Sequence, residues 1–142
     1  MSKWKNLQLF KDNTSGAHGF DFPKETFTRI GRAALRELAN LLEGSGYVSN
    51  CKIDYNKAGS ACTGDFSLKG DFNAGGSFDL FFNLDRICGS EEICYRLTDH
   101  QKDYTGKRNN HISIDHPVEK IATSVLKLKQ DHTITLPGEA HV

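Results

Sequence analysis

His111, Asp115 and His116 lie close together in the sequence and carry proton- and metal-handling side chains. A histidine beside a carboxylate can exchange protons with a substrate, and paired imidazoles can chelate an ion. In an extended segment His111 and Asp115 share a face while His116 points the other way, which breaks a simple chelate. A plainer role competes. His116 precedes Pro117 at the start of an amphipathic stretch, where the positive end of a helix dipole favours the Asp115 carboxylate. A hydrolase-like enzyme around His111 and Asp115 is therefore an alternative reading, not the leading one. The cysteines point the same way. Zinc knuckles place two thiolates about two to four residues apart, whereas ten residues separate Cys51 from Cys62 and five separate Cys88 from Cys94. Four reduced thiols in a cytoplasmic chain are expected, with no metal and no cofactor. The sequence contains no P-loop, G-x-S-x-G or H-E-x-x-H pattern.

Groups suited to recognition are more prominent. The twelve-residue stretch His100–His111 exceeds the roughly two to five residues of an ordinary hairpin loop. It carries Lys102, Tyr104, Lys107 and Arg108, cations and a ring that suit phosphate contact and base stacking. Phe81 alternates into a set of polar positions, as an aromatic anchor would. Arg29, Arg32 and Arg36 share one face of a helical pattern. Glu25 lies four residues before Arg29 and Glu43 seven after Arg36, so intrahelical pairing is expected to neutralise that stripe. Lys plus Arg and Asp plus Glu both number 18, a net charge of zero. That balance argues against a dedicated polyanion binder, an acidic nucleic-acid mimic or a disordered tail.

The elements that position these groups follow from hydrophobic spacing. Phe27, Ile30, Ala34, Leu35, Leu38, Leu41 and Leu42 recur at helical intervals and predict a helix from Lys24 to Glu43, started by Pro23 and stopped by Gly44-Ser45-Gly46. Alternation predicts strands over Tyr47–Asn56, Gly64–Asn73 and Ser77–Asp85, each with one buried and one wet face. In the first, Tyr47, Cys51, Ile53 and Tyr55 share the apolar parity. Parity sets a register in which Cys51 opposes Phe66, Phe72 opposes Phe78, and Leu68 opposes Phe82. Ile93–Asp99 is ambiguous, and the strand is preferred because Ile112 and Ile114 in His111–Asp115 provide a partner. A second helix is predicted over Pro117–Lys129 and a last short strand over His132–Leu136. Residues 1–23 read as irregular, with Lys5–Phe10 a short strand on the alternation of Leu7 and Leu9; residues 137–142 read as a loose tail.

The sum is a single α+β domain over 1–142. It is a two-layer sandwich in which two amphipathic helices cover one face of an antiparallel sheet of four to five strands. The opening decapeptide lacks the apolar core of a signal peptide and no run is long enough to span a bilayer, so a cytoplasmic, non-membrane protein is expected. The leading functional expectation is a non-catalytic binding protein, of the inhibitor, immunity or mobile-element accessory kind. It would recognise a macromolecular partner, most readily another protein, through the open sheet face or the 99–110 loop, with Phe81, Lys102, Tyr104, Lys107 and Arg108 as candidate contacts. Nucleic-acid binding by the basic 100–111 loop is the alternative, and a homodimer through the sheet edge or open face is compatible with the architecture.

Overall fold

The structure is a computed structural model that describes residues 2–14, 21–57, 63–84, 92–99 and 109–129. Among the described residues five antiparallel strands, β1 (Val48–Asn56), β2 (Asp65–Phe72), β3 (Ser77–Phe82), β4 (Glu92–Thr98) and β5 (Asn110–Ser113), form a meander in sequential order. Three helices, α1 (Lys3–Asn13), α2 (Lys24–Gly44) and α3 (Val118–Leu126), contribute apolar stripes to one core with the inner sheet face. The architecture is α+β, with the sheet, the long helix and the last helix where the sequence places them. The ambiguous Ile93–Asp99 segment is a strand and pairs with β5.

The N-terminal segment departs from expectation. It is a helix, not an irregular stretch with a strand over Lys5–Phe10. Leu7 and Leu9 alternate by coincidence: Leu7 is fully buried and Leu9 is 43% exposed. The buried set is Trp4, Leu7, Phe10 and Lys11, a helical spacing read around Trp4 and Phe10. Ser2 caps the helix by accepting from Lys5 N at 3.2 Å. Glu37 of α2 then reaches across, accepting from Ser2 Oγ (2.8 Å), Lys3 N (3.3 Å) and Trp4 N (3.0 Å). A carboxylate from another helix thus satisfies amide donors that a first turn leaves orphaned. On its other flank α1 is tied to the turn after β5. Trp4 Nε1 donates to Ile114 O at 3.0 Å, and Gln8 Nε2 donates to the Ile114 and His116 carbonyls.

Both hairpin registers also differ from the parity prediction. Phe66 faces Phe82, Leu68 faces Leu80 and Gly70 faces Phe78. The faces are as expected, but the pairing slides by two residues because Asn73, Ala74 and Gly75 form a three-residue loop, with Phe72 N donating to Gly76 O. Gly75 and Gly76 supply the positive φ that this tight loop requires. Between β1 and β2, Tyr55 faces Phe66 and Ile53 faces Leu68, yet Val48 faces Phe72. A bulge accounts for the change: Asn50, at φ +58°, is an extra residue between the Ser49 and Lys52 pairings. Parity inverts across it. Val48, not Tyr47, enters the core, and Tyr47 is left 43% exposed.

The helix and sheet layers meet at Gly31. A Cβ there would lie 2.2 Å from Phe66 Cε2. Phe66 is fully buried among Phe27, Tyr55 and Phe82, so it has nowhere to go. Gly31→Ala is expected to destabilise the fold by about 1–3 kcal/mol, because overpacking outweighs the roughly 1 kcal/mol that alanine gains in a helix. Gly44→Ala, where nothing lies within 4 Å, is expected to be neutral or stabilising. Thermal denaturation of the two variants, shifting the melting temperature in opposite directions or not, decides the point.

Lys11 is 7% exposed and pairs with Asp115 at 3.1 Å and Asp12 at 3.2 Å. Burial lowers its pKa, but the hydrogen bonds and charges of Asp115 and Asp12 outweigh burial and leave it raised above 10.5. A raised lysine stabilises the fold fully below its unfolded pKa, and loses that contribution as pH rises through the folded value. The urea midpoint of the wild type relative to Lys11→Met is therefore expected to hold steady from neutral pH to the ordinary lysine value of about 10.4 and to fall above it.

Candidate functional site

Strand pairing assembles the outer sheet face into rows. One runs Lys52, Lys69, Asp79, Arg96 and the next Asp54, Ser67, Phe81, Cys94, His111. Opposed residues on neighbouring strands stand on the same side, so β3 and β4 bring Asp79, Phe81, Cys94 and Arg96 into one patch. Arg96 is its centre. Its Nη2 donates to Asp79 Oδ2 at 2.9 Å, and its guanidinium carbon lies 5.2 Å from the centre of the Phe81 ring. The carboxylate and ring together hold a planar cation in a fixed orientation, with cation–π attraction adding to the ion pair.

This patch is less wet than alternation alone predicts. The Asp79 and Arg96 side chains are 13% and 20% exposed, while Ser77, Thr98 and Cys94 are buried. Phe81 is half-buried, with Cys94 opposite it and Arg96 across it. It is not an isolated exposed ring. Ser77 Oγ donates to Asp71 Oδ1 at 2.8 Å, and Asn50 Nδ2 donates to Asp71 Oδ2 at 3.0 Å, so the bulge residue helps to organise the same face. Among the described residues Asp79 Oδ1 and Thr98 Oγ1 are buried with no hydrogen-bond partner. Leaving such atoms unmatched costs about 1–3 kcal/mol each.

The remaining sequence candidates separate. His111 stands on the exposed outer surface of β5 opposite Cys94. Asp115 lies in the turn beyond β5 and engages Lys11 of α1, on the helical side. The expected shared strand face does not form, because β5 ends at Ser113. Lys102, Tyr104, Lys107 and Arg108 lie outside the described residues, as do Cys62, Cys88, the His132–Leu136 strand and the 137–142 tail. Cys51 and Cys94 are free thiols. Among the described residues no group of three or more His, Cys, Asp or Glu is placed to hold a metal, and no helix is long and apolar enough to cross a membrane.

Alternation over Ser77–Asp85 puts Asp79 on the same polar face as Phe81, but alternation alone does not pair it with Arg96 of β4. Opposite charges at matching parity on adjacent strands were the available signal. The burial of Cys94 and Thr98 on that face had no such signal. The chain matches no protein-family model, no curated protein and no solved structure.

Neither described thiol is activated. Burial, then the nearby Glu43 and Asp71 carboxylates, push Cys51 up to about 12. Burial also raises Cys94, outweighing the Arg96 guanidinium beside it. Since the thiolate is the nucleophile, Cys51 in a Cys62→Ser/Cys88→Ser/Cys94→Ser chain is expected to alkylate at least about a hundredfold more slowly than a free thiol at pH 8. Mass spectrometry of native and urea-unfolded samples reads this directly.

Proposed function

We propose that this chain is a small cytoplasmic binding protein that works without catalysis and docks a protein partner on the outer face of its sheet. The supporting observation is the Arg96 guanidinium held between Asp79 and the Phe81 ring. Arginine and aromatic side chains dominate the energetics of protein interfaces, and they do so most where they are already ordered and partly desolvated. An ordered, half-buried pair loses little conformational freedom on binding. The unmatched Asp79 Oδ1 and Thr98 Oγ1 add a second inducement, since a partner bearing polar groups relieves their cost. The surrounding charges of both signs, Lys52, Asp54, Lys69 and Asp71, form a polar rim that favours a protein surface over a polyanion. The free Cys51 and Cys94 thiols suit a reducing compartment.

The test is affinity capture from the source cell with the tagged chain. The double variant Arg96→Ala/Asp79→Ala removes the pair without orphaning either charge. It is expected to lose the captured protein at least tenfold, about the 1.4 kcal/mol of a moderate interface contact. Lys120→Ala, on the exposed side of α3, is expected to retain it. Circular dichroism verifies folding. Equal capture by the double variant, or no specific capture by the wild type, refutes the reading.

A further inference from the structure

The α2 arginines are not neutralised. The spacing of Glu25 and Glu43 predicts intrahelical pairing, but among the described residues no ion pair or hydrogen bond reaches Arg29, Arg32 or Arg36. All three are exposed. Two of the three acids of the helix are committed elsewhere: Glu37 caps α1 and Glu43 accepts from Cys51 N at 3.2 Å; the third, Glu25, is exposed and forms no ion pair with Arg29. At about 100° per residue, Arg29, Ala33, Arg36 and Asn40 form the outward crest of α2, with Arg32 to one side. On the other side, toward α1, lies a groove of about 500 Å³ lined by Lys3, Ala33, Arg36, Glu37, Asn40 and Leu41. Its Ala33 and Leu41 surfaces are apolar, Lys3 and Arg36 give it cationic borders, and the Glu37 carboxylate is occupied by the α1 amides.

We propose that this crest and groove bind an acidic peptide segment of a protein partner, carboxylates meeting Arg29, Arg36 and Lys3 while an aliphatic side chain fills the space over Ala33 and Leu41. Charge complementarity selects an anion. The apolar floor favours a peptide over a nucleic-acid backbone, whose phosphates have no use for it. Arg29 and Arg36 are about 10 Å apart along the helix axis. In an extended segment residues i, i+2 and i+4 share a face, so carboxylates at i and i+4, about 13 Å apart, reach the two long guanidinium side chains while an aliphatic residue at i+2 lies between them. Arginine, unlike lysine, grips each carboxylate through two parallel donors. The surface is separate from the Arg96 patch: α2 belongs to the helical layer and Arg96 to the opposite face of the sheet.

The experiment is fluorescence anisotropy with a labelled peptide of Glu-Leu-Leu-Glu repeats, its Glu-Gln-Gln-Glu counterpart, and a single-stranded oligothymidylate. The leucine peptide is expected to bind, and Arg29→Glu/Arg36→Glu to weaken it about tenfold or more, as two reversed charge contacts would. Leu41→Gln is expected to weaken it about threefold, as loss of part of an apolar contact would. Lys120→Glu/Lys129→Glu, at exposed positions away from α2, serves as the charge-matched control and is expected to bind as the wild type does. All variants alter exposed or half-exposed positions, and circular dichroism confirms folding. The proposal is overturned by absence of binding up to about 1 mM, the floor of measurable recognition, or by affinity insensitive to the arginine reversal. Equal affinity for the glutamine peptide, or tighter binding of the oligothymidylate through the same arginines, overturns it in favour of a polyanion ridge. A concentration-dependent dimer abolished by Arg36→Glu overturns it in favour of a second copy of this chain.

Discussion

Phe27 touches Phe10, Phe22, Tyr55, Phe66 and Phe82, and one turn further along α2 the missing side chain of Gly31 admits the edge of Phe66. Here the long helix and the sheet are in direct ring-to-backbone contact, with no room for another side chain between them. Edge-to-face and stacked rings fix orientation as well as distance, so α2 sits on the sheet at one angle and depth. That depth determines where α1 and α3 flank α2 and which α2 positions turn to solvent. A comparable economy recurs within the sheet. Gly70 of β2 leaves room for the ring of Phe78 and for Cys51 Sγ, so the β1 bulge and the β2–β3 pairing share a gap made by one glycine.

Much of this was legible in the residue pattern. α2 announces itself through seven apolar positions at helical spacing, and β2 and β3 through clean alternation of Phe and Leu. What escaped notice depended on contacts between elements distant in sequence. α1 has weak amphipathicity, and its stability comes from Glu37, Phe27 and the Ile114 carbonyl, none of which is local to it. The β1 bulge turns on Asn50 adopting a left-handed backbone, a conformation open to asparagine but not signalled by its neighbours. The β2–β3 register differs by two residues from the parity reading for a related reason: parity assigns faces, while the position of the three-residue loop, Asn73–Gly75, assigns partners.

The same distinction governs the candidate sites. Alternation puts Phe81 and Asp79 on one polar face, but only register brings Arg96 beside them and joins a carboxylate, a cation and a ring. The arginines of α2 show the reverse case. Their helical spacing is plain, but the expected neutralisation does not form: Glu43 accepts from the Cys51 amide instead, Glu25 forms no ion pair with Arg29, and Glu37, the acid next to Arg36, serves the α1 amides. A carboxylate that accepts from main-chain donors is no longer aimed at an adjacent guanidinium, and the positive charge is left at the surface.

Trp4 joins the first helix of the chain to a carbonyl 110 residues later. During synthesis, α1 therefore emerges long before the turn that receives its indole, and before the Glu37 carboxylate that covers its first amides. An isolated helix of 11 residues is marginal in water, so α1 owes its persistence to partners that other parts of the chain supply. Because Trp4 is the sole tryptophan and is nearly inaccessible in the finished fold, the molecule carries its own optical reporter for the docking of this helix.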